Sequence, residues 1–447
     1  MDSFAATLSG GTSDDQSGDK EAAAPDPLTG NNREFRDPVG AGLIERTARF
    51  HAWQQARQHA GYWPYSRALR DAPASTTRIA DCRGRAAAGV NFASQDYLSL
   101  ATSAELQHAA IEAIERFGVH SAGSAAVLGN TTHSLALEEE LGDFLRMPHV
   151  TLFPTGWAAG YGVSRGLVRR DDYIVMDALA HSCLAEGAFA STPKVSTFRH
   201  LDHDHACTLL ARIRRHDTTN AIMVITEGLF SMDSDSPDIP ALAAVCREFN
   251  ASLVVDVAHD LGALGPGGSG VLGMQGMLGE ADLVMGSFSK TFASNGGFVA
   301  CREASVKQFL KIFSPPQTFS NALSPAQAAV VRRALAIVRS PEGARLRGCL
   351  MRNIESLRVE LTEVGLTPIG VPSPIVPVLI GREDRARVTA SLLPDLGVLA
   401  NLAEFPAVPE NQARLRLQVM AGHSADEARA AARGIATAVE QASQACP

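Results

Sequence analysis

A lysine that directly follows an apolar strand has the clearest chemical potential in this sequence. The segment DLVMGSFSKTFASNGGF, residues 282–298, runs from apolar residues into a polar turn that contains Lys290. An amine forms an imine only after losing its proton, which burial and neighbouring positive charge favour. Ser287 and Ser289 precede the lysine and offer hydroxyl groups to a phosphate. Taken alone, the segment is equally compatible with a surface lysine in a loop.

A carboxylate ends a second apolar run. The segment SLVVDVAHDLGALG, residues 252–265, delivers Asp256 to the end of a buried strand. A buried carboxylate is costly unless a cation meets it, and a protonated pyridine nitrogen is such a cation. Holding that proton lets the ring act as an electron sink. His259 follows closely and would reach the phenolic oxygen of the same ring. The alternative is that Asp256 caps the next helix.

Two further strand ends carry candidates for the same site. In TLFPTGWAAGYG, residues 151–162, Gly156 opens a helix of small residues. Free backbone amides at a helix N-terminus bind phosphate. In DYIVMDALAHSCLAEGA, residues 172–188, His181 follows a strand and would lie flat on an aromatic ring. Alone, neither segment specifies a site, because many strand-to-helix turns look like the first and a lone histidine is more often structural.

An arginine pair near the C-terminus is a candidate for binding a carboxylate. In RLRLQVMAGHS, residues 414–424, strand alternation places Arg414 and Arg416 on one face and the apolar residues on the other. A guanidinium group matches a carboxylate in two contacts. An amino-acid substrate would supply one carboxylate near the imine. For Arg414, a solvated strand face is the alternative.

These residues require a fold that gathers strand ends, and the sequence predicts one. From residue 91 onward, short apolar runs alternate with helical periodicity, which indicates a mostly parallel sheet with helices on both faces. The predicted strands are 150–153, 173–176, 195–198, 221–226, 252–256, 282–286 and 297–301. The predicted helices are 133–146, 157–169, 204–215 and 240–249. In such α/β sheets, ligands bind at the carboxyl ends of the strands.

After residue 322 the pattern changes, which predicts a second, smaller domain. Here the predicted helices are 325–340, 343–364 and 424–443, and the predicted strands are 375–380 and 414–419. We therefore expect a flexible polar tail over 1–35, a lead-in segment over 36–90 with helical periodicity from 38 to 70 and then a loop, a large domain over 91–322 and a small domain over 323–447.

Composition and charge exclude several classes of function. The formal net charge of -8 and the pI near 5.9 argue against general affinity for nucleic acid or an anionic membrane. No stretch approaches the ~20 apolar residues that span a bilayer, and the first residues lack the order of a signal peptide. The scattered cysteines contain no CxxC pair and so indicate neither a zinc site nor a disulfide framework. We expect a cytoplasmic protein with no metal.

Taken in order, these motifs resemble one known family. Together with NFASQDYLSLA (91–101), HSAGSAAVLGNTTHSLALEEEL (120–141) and EGLFSMDSDSPDIPAL (227–242), they are similar to the α-oxoamine synthases, fold type I enzymes that use pyridoxal 5'-phosphate (PLP). The resemblance covers residues 45–430. The family includes 8-amino-7-oxononanoate synthase, 2-amino-3-ketobutyrate ligase, 5-aminolevulinate synthase and serine palmitoyltransferase. The turn GSFSKTFASNGGF looks closest to the serine palmitoyltransferase branch.

The resemblance implies a fold and a reaction. The α/β fold would be a large domain with a mostly parallel seven-stranded sheet and a smaller α+β C-terminal domain. The reaction would join a small amino acid to an acyl thioester, carried on coenzyme A or an acyl carrier protein, with loss of the amino-acid carboxylate as carbon dioxide. The family is dimeric with its active sites at the interface, so a homodimer is implied.

The resemblance also implies a role for each candidate residue. Lys290 would hold PLP as an imine and carry protons. Asp256 would pair with the pyridine nitrogen, His259 would contact the ring oxygen, and His181 would stack on the ring. The ring edge would be lined by Ser231, and the substrate carboxylate would be bound by Arg416. The phosphate would be held by Gly156, Trp157, Ser287, Ser289 and, from a second subunit, Ser320.

Two departures from the family pattern concern the substrate. Family members commonly read SN-D-YLG in the first motif, whereas this chain has Gln95 in the asparagine position and Ser99 in the glycine position. The family asparagine contacts the amino-acid carboxylate, so Gln95 is the substrate-binding candidate here. The glycine-rich stretch often carries an arginine, but this chain reads GSAAVLG at 123–129. Neither departure affects a cofactor residue.

Other functions remain as alternatives. A PLP-dependent aminotransferase would use the same lysine, aspartate and phosphate turn. Ser287 and Lys290 match the SxxK pattern of serine acyl enzymes, although the KTG and SDN elements are absent. GSGVLG at 268–273 fits the GxGxxG pattern of dinucleotide sites but lies well past its strand. The histidines and aspartates of 200–205 suggest a metal, or helix caps in a loop. A regulatory subunit would be expected to lack Lys290.

Overall fold

The computed structural model describes residues 25–447, which divide into one unit ending at Trp63 and a second spanning Pro64–Pro447. The first unit contains 3₁₀ helices at Asn32–Phe35 and Glu45–Thr47 and helix α1 at Ala48–Ala60. Gly61 ends α1 in the left-handed conformation, with φ of 82°. The helix α1 is therefore shorter than the segment 38–70 in which helical periodicity was predicted. Of the tail predicted over 1–35, residues 1–24 lie outside the described residues and Asn32–Phe35 is helical.

The strands of the second unit follow the predicted alternation. In chain order they are β1 Ala68–Leu69, β2 Thr76–Ala80, β3 Ala86–Asn91, β4 His149–Phe153, β5 Tyr173–Asp177, β6 Val195–Phe198, β7 Ile222–Glu227, β8 Ser252–Asp256, β9 Leu283–Ser287, β10 Gly297–Cys301, β11 Ile375–Gly381, β12 Val398–Leu399, β13 Asn401–Ala403 and β14 Ala413–Gln418. Within residues 25–447, β4 to β10 form a seven-stranded sheet in the order β4-β10-β9-β8-β7-β5-β6. Its predicted strands are confirmed, each end within one residue.

The large sheet is mostly parallel, as predicted. In the described chain, β10 alone breaks the pattern by pairing antiparallel with both β4 and β9. Successive residues of each strand point to opposite faces and enter two apolar cores. On β9, Val284 packs into one core and Met285 into the other; on β8, Val255 and Val254 divide in the same way. Burial on both faces explains why these strands are continuously apolar in the sequence.

Helices cover both faces of this sheet. They are α2 Ala104–Phe117, α3 Thr132–Leu145, α4 Gly156–Leu167, α5 Ser182–Ser191, α6 His203–His216, α7 Ile239–Glu248, α8 Gly270–Met274, α9 Ala304–Phe313 and α10 Pro315–Thr318. The predicted helices correspond to α3, α4, α6 and α7. Side-chain caps fix the starts of α3 and α4, where Thr131 accepts from Ser134 N and Thr155 from Ala158 N. Among residues 25–447, no helix has the length and hydropathy that a membrane crossing requires.

The C-terminal region contains α11 Pro325–Val338, α12 Pro341–Glu363, α13 Glu383–Leu392 and α14 Ala425–Ala445. In the described chain, β11, β14 and β13 form one small sheet, and β1, β2, β3 and β12 form another. The loop predicted for the Pro, Ala and Ser stretch after residue 70 is confirmed at 71–75. The strands β2 and β3 that pair directly after it, and Val398 of β12 that extends them in register with Val90, were not predicted. The small, weakly apolar residues of β3 gave no strand signal. The boundary between large and small domains at 322/323 stays a prediction.

Candidate active site

The carboxyl ends of neighbouring parallel strands meet at one edge of the large sheet. The last residues of β5, β7, β8 and β9 are Asp177, Glu227, Asp256 and Ser287. Because β5, β7, β8 and β9 are consecutive parallel neighbours, these residues share an edge of the sheet. The turns after three of these strands carry His181, His259 and Lys290. The edge where the sequence predicted the site therefore collects its main candidates.

Lys290 is placed to act as an uncharged amine. It follows β9 and is partly buried. Burial lowers the pKa of Lys290, the negative charge of Asp256 opposes this shift, and the positive charge of Arg416 adds to it. Asp256 and Arg416 therefore lie within electrostatic range of the amine. A lowered pKa increases the fraction of free amine, the form that attacks an aldehyde.

The other described lysines are engaged elsewhere. Lys194 donates to the Asp171 carbonyl at 2.8 Å, and Lys307 and Lys311 both pair with Glu138. Among the lysines of residues 25–447, Lys290 alone has no hydrogen bond or ion pair. The partial burial of Lys290 argues against the surface-loop alternative for this lysine.

Asp256 is a buried carboxylate that lacks a cationic hydrogen-bond partner within the described residues. It is 6% exposed, and its Oδ1 accepts the Ala258 amide at 2.8 Å. Burial raises the pKa of Asp256 to about 6, and the charge of Lys290 opposes the shift. The helix-cap alternative is wrong, because the chain continues through turns to the 3₁₀ helix Pro266–Gly268. A protonated ring nitrogen would supply the missing cation.

His259 is held by a residue that the sequence analysis missed. Its Nδ1 lies 2.8 Å from the Tyr97 hydroxyl, and both side chains are buried. Burial, followed by the positive charges of Lys290 and Arg416, keeps the pKa of His259 well below its usual range, so the ring is neutral. Tyr97 lies in the motif NFASQDYLSLA, but nothing in the spacing indicates that it meets His259.

His181 lies at the start of α5 with exposed surface on its ring. Burial lowers the pKa of His181 to about 4, and the charges of Lys290 and Arg416 lower it further. Its backbone amide donates to Glu227 Oε1 at 2.6 Å. A neutral ring anchored through the backbone and open on its surface can cover the face of a flat cofactor.

Glu227 is a second missed residue and lies beside Asp256. The two are register partners on β7 and β8, and Glu227 is 3% exposed. Burial, and then the negative charge of Asp256, raise the pKa of Glu227 well above its usual range. Two adjacent buried carboxyl groups cannot both ionise readily, so Glu227 is the protonated member of the pair. Its position as the last residue of an apolar run was the available signal.

Gly156, Ser287 and Ser289 lie close together where α4 begins and β9 ends. A Cβ at Gly156 would lie 2.4 Å from the Ser287 hydroxyl, so only glycine allows these elements to meet. The Ser287 and Ser289 hydroxyls are 2.8 Å apart. The amides of Gly156 and Trp157 open α4 without an acceptor in the described chain, because Thr155 caps Ala158. Trp157 is therefore placed to contribute its amide rather than its ring, which stacks on Tyr161.

Arg416 and Arg414 lie on one strand face, as predicted, but differ in their partners. Arg416 is 8% exposed; its Nε donates to the Ser231 carbonyl at 2.7 Å, and its buried Nη2 has no partner among the described residues. Arg414 is 2% exposed and pairs with Asp233. The solvated-face alternative for Arg414 is therefore wrong. Arg416 retains a donor for a carboxylate and places Ser231 beside it.

The remaining residues to locate are Gln95, Ser99 and Ser320. Gln95 is partly buried and makes no hydrogen bond within residues 25–447. Ser99 has φ of 56°, a conformation that favours glycine, and its hydroxyl accepts the Gly422 amide at 2.8 Å. Ser320 is partly buried and makes no hydrogen bond to the described part of its own chain.

The donor set fits PLP. Lys290 offers an amine for the aldehyde, Asp256 a buried carboxylate for the ring nitrogen, and the start of α4 two free amides for the phosphate. The orphaned Nη2 of Arg416 offers a site for a substrate carboxylate. Within residues 25–447, no positively charged side chain forms a hydrogen bond or ion pair with Asp256.

The structure is incompatible with the serine-enzyme and dinucleotide alternatives. Ser287 ends a strand and bonds to Ser289, whereas the SxxK serine begins a helix. GSGVLG, residues 268–273, runs from a 3₁₀ turn into α8 rather than from a strand.

The histidines and aspartates of 200–205 have other partners than a metal. His200 binds two carboxylates and Asp202 caps α6. In residues 25–447, no group of three or more His, Cys, Asp or Glu side chains is arranged to hold a metal ion.

Comparison with known proteins gives a consistent result. A protein-family model described as "Aminotransferase class I and II" matches residues 87–435. The 8-amino-7-oxononanoate synthase of Klebsiella pneumoniae (strain 342) is 37% identical over 338 residues, covering 76% of this chain and 86% of that protein. The synthase of the same name from Salmonella typhimurium is 34% identical over 336 residues, covering 75% and 86%.

Solved structures agree with these relatives. The serine palmitoyltransferase from S. paucimobilis, with a bound PLP–myriocin aldimine, is 25% identical with a TM-score of 0.83 and covers 90% of this chain and 100% of that chain. A structure described as SPT with PLP internal aldimine has the same identity and TM-score and covers 90% and 99%. An 8-amino-7-oxononanoate synthase from Francisella tularensis, 21% identical with a TM-score of 0.66, covers 79% of this chain and 98% of that chain and shares the fold.

Proposed function

We propose that this chain, which belongs to the α-oxoamine synthase family of PLP-dependent enzymes, condenses a small amino acid with an acyl thioester and releases carbon dioxide. Membership of the family makes the chain an enzyme that uses PLP. When bound, PLP supplies an aldehyde for the amino group and a ring that accepts electrons from the amino-acid α-carbon. The observation that carries the proposal is that a partly buried Lys290 amine feels both the negative charge of Asp256 and the positive charge of Arg416.

The reaction balances without an oxidant or a reductant. A carbon–carbon bond forms between the amino-acid α-carbon and the acyl carbonyl carbon, and the carbon–sulfur bond of the thioester breaks. The bond from the α-carbon to the carboxylate also breaks and releases carbon dioxide. The products are an α-amino ketone, carbon dioxide and a free thiol. The thiol distinguishes this reaction from transamination, which requires a keto acid and releases none.

Each site residue has a separate role in the proposed reaction. The free amine of Lys290 accepts the proton from the substrate α-carbon and later returns one. With PLP bound, the carboxylate of Asp256 would hold the proton on the ring nitrogen, and His259 would donate to the ring oxygen. The Nη2 of Arg416 binds the substrate carboxylate, supported by Ser231. Buried neutral groups around the site exclude water and strengthen each of these interactions.

Exposed apolar side chains support a homodimer with an active site completed by its partner. Val127, Leu128 and Phe319 are 84%, 85% and 86% exposed. The segments that carry them are joined, since Ala322 N donates to the Gly123 carbonyl at 2.9 Å. An apolar patch of this kind marks a protein interface. Ser320 follows Phe319 in this patch, and we infer that it reaches the phosphate of the other subunit.

The proposed activity is tested by product analysis. The PLP-loaded protein is supplied with glycine, alanine or serine together with acyl-coenzyme A or acyl carrier protein thioesters of several chain lengths. We expect equal amounts of free thiol and carbon dioxide with one amino acid, and no turnover by Lys290→Ala. Turnover that depends on 2-oxoglutarate and releases no thiol would instead establish an aminotransferase. The two thioester series identify the acyl carrier.

A further inference from the structure

One ring nitrogen of His181 is enclosed by Cys183. The Nδ1 atom accepts the Cys183 backbone amide at 3.3 Å and lies 3.0 Å from the Cys183 sulfur. His181 is the N-cap of α5, so its ring satisfies one of the amides that a helix start leaves free. The opposite nitrogen, Nε2, has no hydrogen-bond partner among the described residues.

This geometry selects one tautomer of His181. The amide hydrogen of Cys183 points at Nδ1, so a proton on that nitrogen would face another proton. Burial lowers the pKa of His181 to about 4, which leaves the ring neutral with a single proton. Burial also raises the pKa of Cys183, so the thiol keeps its hydrogen and is itself a donor. The single ring proton is therefore on Nε2.

Glu227 fixes the backbone of the same residue. Its Oε1 accepts the His181 amide at 2.6 Å, and its place at the end of β7 ties the turn before α5 to the central sheet. Glu227 makes this bond as an acceptor, which a neutral carboxylic acid or an amide side chain can also do. Cys183 thus sets the rotation of the ring and Glu227 sets the position of its backbone.

We propose that Cys183 and Glu227 are positioning residues that hold His181 in the Nε2–H tautomer, so that the ring N–H available to a substrate is on Nε2. The inference rests on the proposed function, because it assumes a substrate beside His181. An N–H donor there selects an acceptor, namely the amino-acid carboxylate or the thioester carbonyl oxygen, and disfavours an ammonium group. The sequence motif DALAHSCLAEGA encodes the arrangement through the spacing of His181 and Cys183.

The test is to observe the tautomer directly. Side-chain nitrogens of ¹⁵N-histidine-labelled, PLP-loaded protein are measured by NMR, with Cys183→Ala, Cys183→Ser and Cys246→Ala as variants. Cys246 is a buried thiol on α7 and serves as the matched control for the lost volume. Cys183→Ala keeps the backbone amide but removes the thiol donor, so we expect a larger fraction of the Nδ1–H tautomer than in the unaltered protein and a kcat/KM lower by about 2- to 10-fold, the effect of one hydrogen bond. Cys183→Ser restores a donor and the Nε2–H form, and Cys246→Ala changes neither.

A second pair of variants tests Glu227. Glu227→Gln keeps an acceptor for the His181 amide and should retain most of kcat/KM, whereas Glu227→Met removes the acceptor and should lower it at least tenfold. Unchanged His181 tautomer populations in Cys183→Ala, or equal losses of kcat/KM in Cys183→Ala and Cys246→Ala, would overturn the inference while the proposed function stands. A protein that binds no PLP would contradict the proposed function itself.

Discussion

At the scale of single residues, the site depends on charges that lack a full set of partners. The Nη2 of Arg416 is buried and unsatisfied in the described chain, whereas Arg414 on the same strand face is paired with Asp233. An unsatisfied buried donor is costly, so it persists where a ligand satisfies it. We therefore propose that Arg416 binds the substrate, whereas the ion pair of Arg414 with Asp233 supports the fold.

Removing Arg416 should weaken amino-acid binding. Hydrogen bonds to charged groups contribute about 1.5–3 kcal/mol, so Arg416→Ala should raise the KM for the amino acid by about 10- to 100-fold. The KM for the acyl thioester should change much less. Steady-state kinetics with each substrate varied in turn measure the difference.

Two arginine variants serve as controls for that measurement. Arg429→Ala removes an exposed guanidinium on α14 and should leave both KM values unchanged. Arg414→Ala should lower the melting temperature, because it leaves Asp233 without its buried partner. An Arg416→Ala enzyme with an unaltered KM for the amino acid would show that the carboxylate binds elsewhere.

The sequence identified residues that end strands, and missed residues whose partners are remote. Lys290, Asp256 and His259 follow apolar runs, which is a local signal. The contact of Tyr97 with His259 spans 162 positions, and that of Glu227 with His181 spans 46. No periodicity or spacing records such a contact, because it arises only when β7, β8 and the first motif pack together.

At the scale of elements, a protonated histidine holds the loop after β7. His200 Nδ1 lies 2.8 Å from Asp177 and its Nε2 lies 3.1 Å from Asp235, on the loop that carries Ser231. Burial would lower the pKa of His200, but its hydrogen bonds to the two carboxylates outweigh this and raise the pKa to about 10. The same loop is held on its other side by Arg414. These contacts fix the carbonyl of Ser231 that orients Arg416.

The ion pairs of His200 with Asp177 and Asp235 predict a specific pH dependence of the free energy of unfolding. The folded pKa is raised above the unfolded value, so the stabilisation is full below pH ~6.5 and is lost as the pH rises through about 10. His200→Gln should therefore destabilise the protein more at pH 6 than at pH 10.5, by on the order of 3 kcal/mol. The free energy of unfolding, measured for both proteins at both pH values, gives the difference. An equal effect at the two pH values would contradict the proposal that a protonated His200 holds the loop after β7.

The control for that measurement is an exposed histidine on α6, the helix that follows His200 in the chain. His216→Gln replaces an exposed histidine at the end of α6 and should leave the free energy of unfolding nearly unchanged. The comparison separates the loss of the two His200 ion pairs from the general effect of replacing a histidine by glutamine.

Element prediction succeeded where burial on both faces made strands continuously apolar. The strands of the large sheet and helices α3, α4, α6 and α7 were predicted from that alternation. It failed for β3, whose residues are mostly alanine and glycine, and for β12, whose two residues pair with β3 from the other end of the chain. Strands this short depend on a remote partner rather than on their own pattern.

At the scale of the whole molecule, the proposed homodimer makes a prediction about assembly. Phe319→Asp places a charge in the exposed patch that also contains Val127 and Leu128. We expect a shift from dimer to monomer in light scattering coupled to size-exclusion chromatography, with a loss of activity of at least tenfold. The loss follows because Ser320 would no longer reach its partner's phosphate.

Val359→Asp provides the matched control for the dimer prediction. Val359 is an exposed apolar residue on α12, outside the patch. It should change neither the assembly nor the activity. A fully active Phe319→Asp monomer would contradict the proposal that the site needs a second subunit.

The central claim is that Lys290 is the residue that binds the cofactor. The direct measurement is to reduce the PLP-loaded protein with borohydride, digest it and locate the added mass by mass spectrometry. We predict that the modified peptide contains Lys290 and that the visible absorption of the cofactor disappears on reduction. Modification of Lys194, Lys307 or Lys311 in its place, or of no lysine, would contradict the account.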